Sequence, residues 1–340
     1  MPAEQTATHR LAVSARRWLA PGLAVIVLAA GVSGVLYQAF GKGFGSSGNG
    51  PTFVLVTLSA LTLASLYFIT ASGFTLIFGL LRVTNLAHGA LFLLGGYLAL
   101  ELVSNGVSWW LAALVAMLAT GVVGVVMHQL FLRWNQGQDL RQALITIAVG
   151  IILNDQMLAR FGAAPKAIPP PAGLTEPINL HLYGLAFPAF RILLILAAVV
   201  VALLFWVGIK RTRLGMVVRA GVDDTSMASA LGVNVRAVFA GAFFVGAALA
   251  GLGGAFAGTA LSLAPGQDQV FLVSSLVVVI IGGMGSLLGA AVGALLLGMV
   301  DQYSSAYLPA AYSNLSILLT FVLLAVVLAV KPNGFFGRAQ

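Results

Sequence analysis

Between residues 192 and 209 no side chain is charged, and none carries a hydroxyl, amide or carboxyl group. An uncharged apolar run of about 18 residues or more reads as a helix that crosses a bilayer. Comparable runs recur at 18–37, 53–81, 91–103, 109–133, 142–161, 238–257, 270–300 and 314–330. A chain built this way has one solution. It is an all-α, polytopic transmembrane helical bundle, because lipid offers backbone amides no partner outside their own helix. Only 8% of the residues are charged, against about 25% in soluble domains, which excludes a water-soluble fold.

The run at 270–300 is too long for one simple crossing and is broken by Gly282-Gly283-Met284-Gly285-Ser286. It is expected to enter and return as a Gly-broken or re-entrant hairpin, leaving about eight full spans. Basic residues set the orientation. Residues 1–17, with Arg10, Arg16 and Arg17, form a cytoplasmic tail, and 331–340, with Lys331 and Arg338, form another. Between them 18–330 is a single transmembrane domain. The apolar core at 18–37 is longer than that of a cleaved signal peptide, so it reads as a retained span. Residues 162–189, rich in proline, form the longest external loop and are expected to be irregular. Lys42, Arg160 and Lys166 are the exceptions to the inside bias. The net charge of +8 sits at span ends and loops, where it orients the chain in membrane lipid and implies no nucleic acid. The chain has no cysteine, hence no disulfide, thiolate ligand or thiol nucleophile.

The interior stretch 210–236, KRTRLGMVVRAGVDDTSMASALGVNVR, holds seven of the 26 charged residues and must lie in water as a cytoplasmic loop. Asp223 or Asp224 can cap a short helix over 225–231, and Gly232 is its expected stop. Met227, Ala228 and Leu231 share a small apolar face that nothing in the same segment covers. The helix either lies on its own chain or presses into a groove on a separate cytoplasmic protein, with Arg219, Asp223 and Asp224 at the rim.

Two polar breaks interrupt the spans, at 84–89 and at 282–286. A broken helix presents free backbone N–H groups, which suit a carboxylate. Asn85, His88, Gly282, Gly283, Gly285 and Ser286 are therefore candidates for a solute path. The breaks lie roughly 200 residues apart, each followed by a Gly-Ala step, a trace of an internal repeat. His88 reads either as a satisfied interface residue or as a gate. Ser59, Thr62, Ser65 and Ser72 form a hydroxyl stripe, for interhelical hydrogen bonds or a path lining. Asn154 and Asp155 are caps or part of a mouth. Ala250, Gly254 and Gly258, and again Gly285, Gly289 and Gly293, are stripes for close helix packing. Few ionisable groups fall within spans, which favours a neutral or zwitterionic solute. Asp155 is the one acidic candidate for ion coupling. No cluster of metal-ligand residues occurs, and Gly41-Lys42 lacks the rest of a phosphate-binding loop. If ATP drives this chain, another subunit binds it.

Three segments in order, GFTLIFGLLRVTNLAHGALFLLGGYLA (73–99), RAGVDDTSMASALGVNVRAVFAGAFFVGAALAGLGGAFAG (219–258) and VVVIIGGMGSLLGAAVGALLLG (277–298), resemble the permeases of branched-chain amino acid ABC importers. The likeness covers roughly residues 53–330. It implies a bacterial-type inner membrane location with both termini cytoplasmic. It also implies a second homologous permease in a heterodimer or homodimer, two cytoplasmic ATP-binding subunits and an external solute-binding protein. No cofactor is expected on this chain. By the same likeness 222–233 is the segment that meets the ATPase. The solute would be a branched-chain or other amino acid, or a related small polar solute such as urea or an amide. Two other classes compete. An ion-coupled secondary transporter could use similar broken helices, and an intramembrane hydrolase would pair Ser286 with His88. Ser286 lacks the Gly-x-Ser-x-Gly setting that a serine nucleophile of that kind occupies.

Overall fold

The computed structural model describes residues 50–337, except 82, 136, 181–183, 213–214, 219–224 and 309–314. The expected first span at 18–37, and Lys42, lie outside the described residues. Among the described residues the main α-helices, in chain order, carry the following labels. They are α1 (Gly50–Phe74), α2 (His88–Ser104), α3 (Trp109–Met127), α4 (Asp139–Phe161), α5 (Ala189–Arg211), α6 (Thr225–Ala230), α7 (Val235–Ala260), α8 (Gln267–Gly282), α9 (Leu287–Tyr307) and α10 (Leu315–Val330). Helices α1 and α3 continue as π-helical turns, Thr75–Leu80 and His128–Leu132. Among the described residues six helices are long and apolar enough to cross a membrane: α1, α3, α4, α5, α7 and α9. Helices α2, α8 and most of α10 are shorter apolar segments.

Helix α7 is the hub, packed against α1, α2 and α3. Its small residues let backbones touch, which is how helices gain dispersion energy where lipid removes the hydrophobic drive. A Cβ on Gly254 would fall on the carbonyl oxygen of Phe92 in α2, and one on Gly95 would fall on the backbone of Gly251. The stripe at Ala250, Gly254 and Gly258 is thus a packing seam, buried along its length.

Helix α2 begins inside the bundle. His88 Nε2 lies 3.0 Å from the carbonyl oxygen of Thr70. Thr70 stands ten residues before Leu80, or about 15 Å back along α1 at 1.5 Å per residue. Residues 83–87 therefore fold back up into the protein without helical structure, and Val83, Asn85 and Ala87 are buried. At 17 residues, α2 spans about 25 Å, short of the roughly 30 Å hydrocarbon core.

Helix α8 does the same from the other end. After α7 stops at Ala260 the chain turns inward, with Leu263 fully buried against Gly96. The two short helices meet where they start, since a Cβ on Gly89 would strike the Asp268 carbonyl oxygen. Helix α8 then runs to Gly282, turns at 283–286 and returns as α9. The expected hairpin at 270–300 is present. The two breaks lie apart: 84–89 meets the start of α8, and 282–286 packs on Gly79 at the far end of α1.

The proline-rich segment is more ordered than expected. Strands β1 (Pro177–Asn179) and β2 (Ala186–Pro188) pair antiparallel, and β2 leads straight into α5. Lys166 and Leu263 exchange two backbone hydrogen bonds of 2.8 and 2.7 Å, and the Ile168 N–H donates to the Gly258 carbonyl at 2.8 Å. Arg160, one of the basic residues on this side, is paired with Glu101 at 3.1 Å.

Candidate functional site

The interior break is held by α4. The Thr84 N–H donates to Gln142 Oε1 at 3.3 Å, and the Leu86 N–H donates to Thr146 Oγ1 at 3.1 Å. The Ala87 N–H is taken by Asn85 Oδ1 at 3.1 Å. Both α4 side chains are buried. Backbone without helical structure at membrane depth is tolerated only with such partners. Neither Gln142 nor Thr146 was legible as functional. Their signal was their four-residue spacing on an otherwise apolar helix, which puts both on one face.

Two side-chain nitrogens in the break have no partner: Asn85 Nδ2 and His88 Nδ1. Both residues are essentially inaccessible. A carbonyl oxygen can only accept, so Nε2 of His88 carries the proton toward Thr70 and Nδ1 is left an acceptor. Asn85 and His88 thus lie together at the start of α2, one offering a donor and the other an acceptor. Gly282, Gly283, Gly285 and Ser286 lie apart from them. The Phe335 and Phe336 N–H groups donate to the carbonyls of Ile281 and Gly282 at 2.9 and 3.0 Å, and Ser286 Oγ accepts from the Gly289 N–H at 3.1 Å. The second break was expected to leave backbone groups unpaired; the chain's C-terminal loop and a serine cap satisfy these instead.

The hydroxyl stripe mostly turns back on its own helix. Thr62, Ser65 and Ser72 donate to Leu58, Leu61 and Ile69 at 2.8, 2.7 and 2.7 Å. Only Ser59 reaches another helix, accepting from the Arg191 guanidinium at 3.5 Å. Acidic groups within the bundle outnumber the expectation. Asp301 of α9 accepts from the Tyr67 hydroxyl at 2.7 Å. Asp268 of α8 is buried and accepts from Asn154 Nδ2 at 2.6 Å. Asp155, the single acidic residue singled out from the sequence, is exposed on α4. Among the described residues no group of three or more His, Cys, Asp or Glu side chains could hold a metal ion.

In the polar loop, α6 and the turn after it match the expected short helix at 225–231. Gly232 stops it with φ +82°, and Asn234 Oδ1 caps α7 by accepting from the Ala237 N–H at 3.1 Å. Met227 and Leu231 are 59% and 76% exposed, one helical turn apart on one face. Ala228 is 3% exposed, so the protein itself covers it, contrary to the expected three-residue outward face. Arg219, Asp223 and Asp224 lie outside the described residues.

Comparison with known proteins fits this arrangement. Residues 56–328 match the family described as branched-chain amino acid transport system / permease component. The high-affinity branched-chain amino acid transport system permease protein LivH of Salmonella typhimurium is 25% identical over 85% of this chain and 96% of its own length. The corresponding protein BraD of Pseudomonas aeruginosa is 27% identical over 83% of this chain and 95% of its own. The fructose import permease protein FruF of Bifidobacterium longum is 24% identical over 69% and 66%. With most of its length matched and six helices able to cross a bilayer, the chain belongs to the branched-chain amino acid permease family and is a multi-pass permease subunit of an ABC importer.

Proposed function

We propose that this subunit forms half of a path for leucine, isoleucine, valine or similar amino acids across a bacterial-type inner membrane. The observation that carries the reading is the meeting of two short helices inside the bundle, with unpartnered Asn85 and His88 at the start of one. Helix starts present N–H groups and positive dipole ends, which suit a solute carboxylate. The names of the LivH and BraD relatives supply the solute class.

A second permease subunit closes the path from the other side. Two cytoplasmic subunits bind and hydrolyse ATP, and an external protein delivers the solute; this chain contributes no catalytic step. Arg133, Arg141, Lys210, Arg211 and Lys331 mark the cytoplasmic side, which places both termini there by the positive-inside rule. The segment at 219–234 couples to the ATPase, with Met227 and Leu231 seated in its groove and Arg219, Asp223 and Asp224 at the rim. Gly282, Gly283, Gly285 and Ser286 lie at the cytoplasmic end of the path, where the α8–α9 turn follows the ATPase stroke. Transport proceeds by rocking of the two permeases around the central path.

The test is uptake by purified components in liposomes. Uptake of leucine that needs ATP and all subunits supports the reading. Gradient-driven uptake by this chain alone would make it a secondary transporter, and peptide cleavage would make it a hydrolase.

A further inference from the structure

Helix α4 is an odd helix to turn toward lipid. Its outward face carries Ile151 and Leu158, but also Asp155 and Gln156, all exposed. An acidic side chain within a span costs about 2.5–3.5 kcal/mol where it meets hydrocarbon near the bilayer centre. Such residues face water-filled routes or partner subunits instead. Beside this face, between α4, the middle of α2 and the start of α8, lies a cavity of about 270 Å³. That is close to the small end of the roughly 300–1,000 Å³ range of ligand sites.

Two carboxylates line this cavity, Asp155 and Asp268, beside the polar side chains of Tyr97, Asn154 and Gln269. Asp268 lines it and is 7% exposed. The one ion pair among the described residues is between Arg160 and Glu101, so no cation neutralises Asp268. Its hydrogen bond comes from Asn154, a neutral amide. That bond uses the Asn154 nitrogen and leaves Oδ1 buried without a partner, as is Oε1 of the neighbouring Gln267. A carboxylate and two amide oxygens, all acceptors, lack a cationic donor. Buried anions are paired, and buried acceptors are satisfied. An ammonium group has three N–H donors and one positive charge, which is the complement of this set. The apolar part of the wall is Leu93, Ile151, Met157, Leu158 and Pro265.

We infer that Asp268 and Asn154 form a contact site for the α-ammonium group of the transported amino acid, with the solute's aliphatic side chain against the apolar wall. Both residues line the cavity and lie outside the path residues already considered. The inference rests on the proposed amino acid path and assigns its cation-recognising residues. The start of α8 repels a cation, and the carboxylates of Asp268 and Asp155 offset that repulsion.

The absence of cysteine makes a direct test available. Ile151→Cys places a single thiol on the cavity wall of this subunit within the complete transporter. Its modification is followed by mass with 2-aminoethyl methanethiosulfonate, a cation, and 2-sulfonatoethyl methanethiosulfonate, an anion. Each rate is normalised to that with free cysteine. The cation is expected to react about tenfold faster or more, the scale of one poorly screened charge at close range. Millimolar leucine and 3-methylbutylamine slow the labelling, while 4-methylpentanoate, which lacks the amine, does not. The labelling is carried out in an Asp155→Asn background, so that Asp268 is the one carboxylate on the cavity wall; there Asp268→Asn abolishes both preference and protection, and Asp268→Glu keeps the preference. Equal normalised rates without the Asp268 substitution, a preference that survives Asp268→Asn, or protection by 4-methylpentanoate equal to that by leucine overturns the inference. A transporter that labels as expected but takes up no branched-chain amino acid keeps the ammonium site and removes the solute assignment.

Discussion

Gly89 of α2 and Asp268 of α8 are in backbone contact, so closely that a side chain on Gly89 would overlap the Asp268 carbonyl oxygen. They are 179 positions apart and begin two helices that run to opposite ends of the bundle. Gly89→Ala must push those helix starts apart, and overpacking of this kind costs about 1–3 kcal/mol. Gly208→Ala in α5, where a Cβ meets nothing within 4 Å, is the control. Thermal midpoints of the purified transporter should fall by several degrees for Gly89→Ala and should not fall for Gly208→Ala.

The segment proposed to couple to the ATPase yields a contrast within one turn of helix. Leu231 is exposed and Ala228 is buried by the protein itself. Leu231→Arg should leave the subunit folded and lower solute-stimulated ATP hydrolysis and uptake together. A large apolar side chain contributes about 1.5–3 kcal/mol when buried at a partner, enough to weaken association tenfold or more. Ala228→Arg should instead lower the amount of folded subunit in the membrane. The check is quantitation of assembled subunit beside both activities.

Much of the fold was legible because apolar runs of membrane length have one solution. The spans at 109–133, 142–161, 192–209 and 238–257 correspond to α3, α4, α5 and α7 within a few residues. The start of α8 was not legible. Gly266-Gln267-Asp268-Gln269 reads as a polar loop in water, and only its contact with Gly89 places it inside the bundle. That 84–89 meets the start of α8 while 282–286 packs on Gly79 was likewise not legible, since a glycine-rich break does not reveal which backbone it will touch. The burial of Ala228 depends on how α6 is turned against α7, which helical spacing leaves open. Asn85 and His88 were legible because polar side chains at a span start stand out against their neighbours.

Tyr67 and Asp301 form a partly buried cross-link from α1 to α9, 2.7 Å from hydroxyl to carboxylate. Tyr67→Phe removes the donor and leaves the carboxylate in a low-dielectric setting, a loss of about 1–3 kcal/mol. Asp301→Asn keeps an acceptor for the tyrosine and removes the charge. Thermal unfolding should therefore rank Tyr67→Phe as the more destabilising of the two.

The C-terminal loop closes the α8–α9 turn through Phe335 and Phe336. Deleting residues 333–340 frees the carbonyls of Ile281 and Gly282, and Gly334 no longer fills the space beside Gly283. Amide hydrogen exchange over 279–289 should speed up relative to the full chain, while exchange in the centre of α7 stays slow.

As proposed above, this chain forms one half of the membrane path of an ATP-driven amino acid importer. The most direct measurement is leucine uptake into liposomes that hold this subunit, its partner permease and the ATPases, with binding protein outside and ATP enclosed. The expected result is uptake that disappears when ATP, the binding protein or the ATPases are omitted, and that falls sharply with Leu231→Arg. Leucine uptake by this subunit alone, driven by an ion gradient and indifferent to ATP, would contradict it.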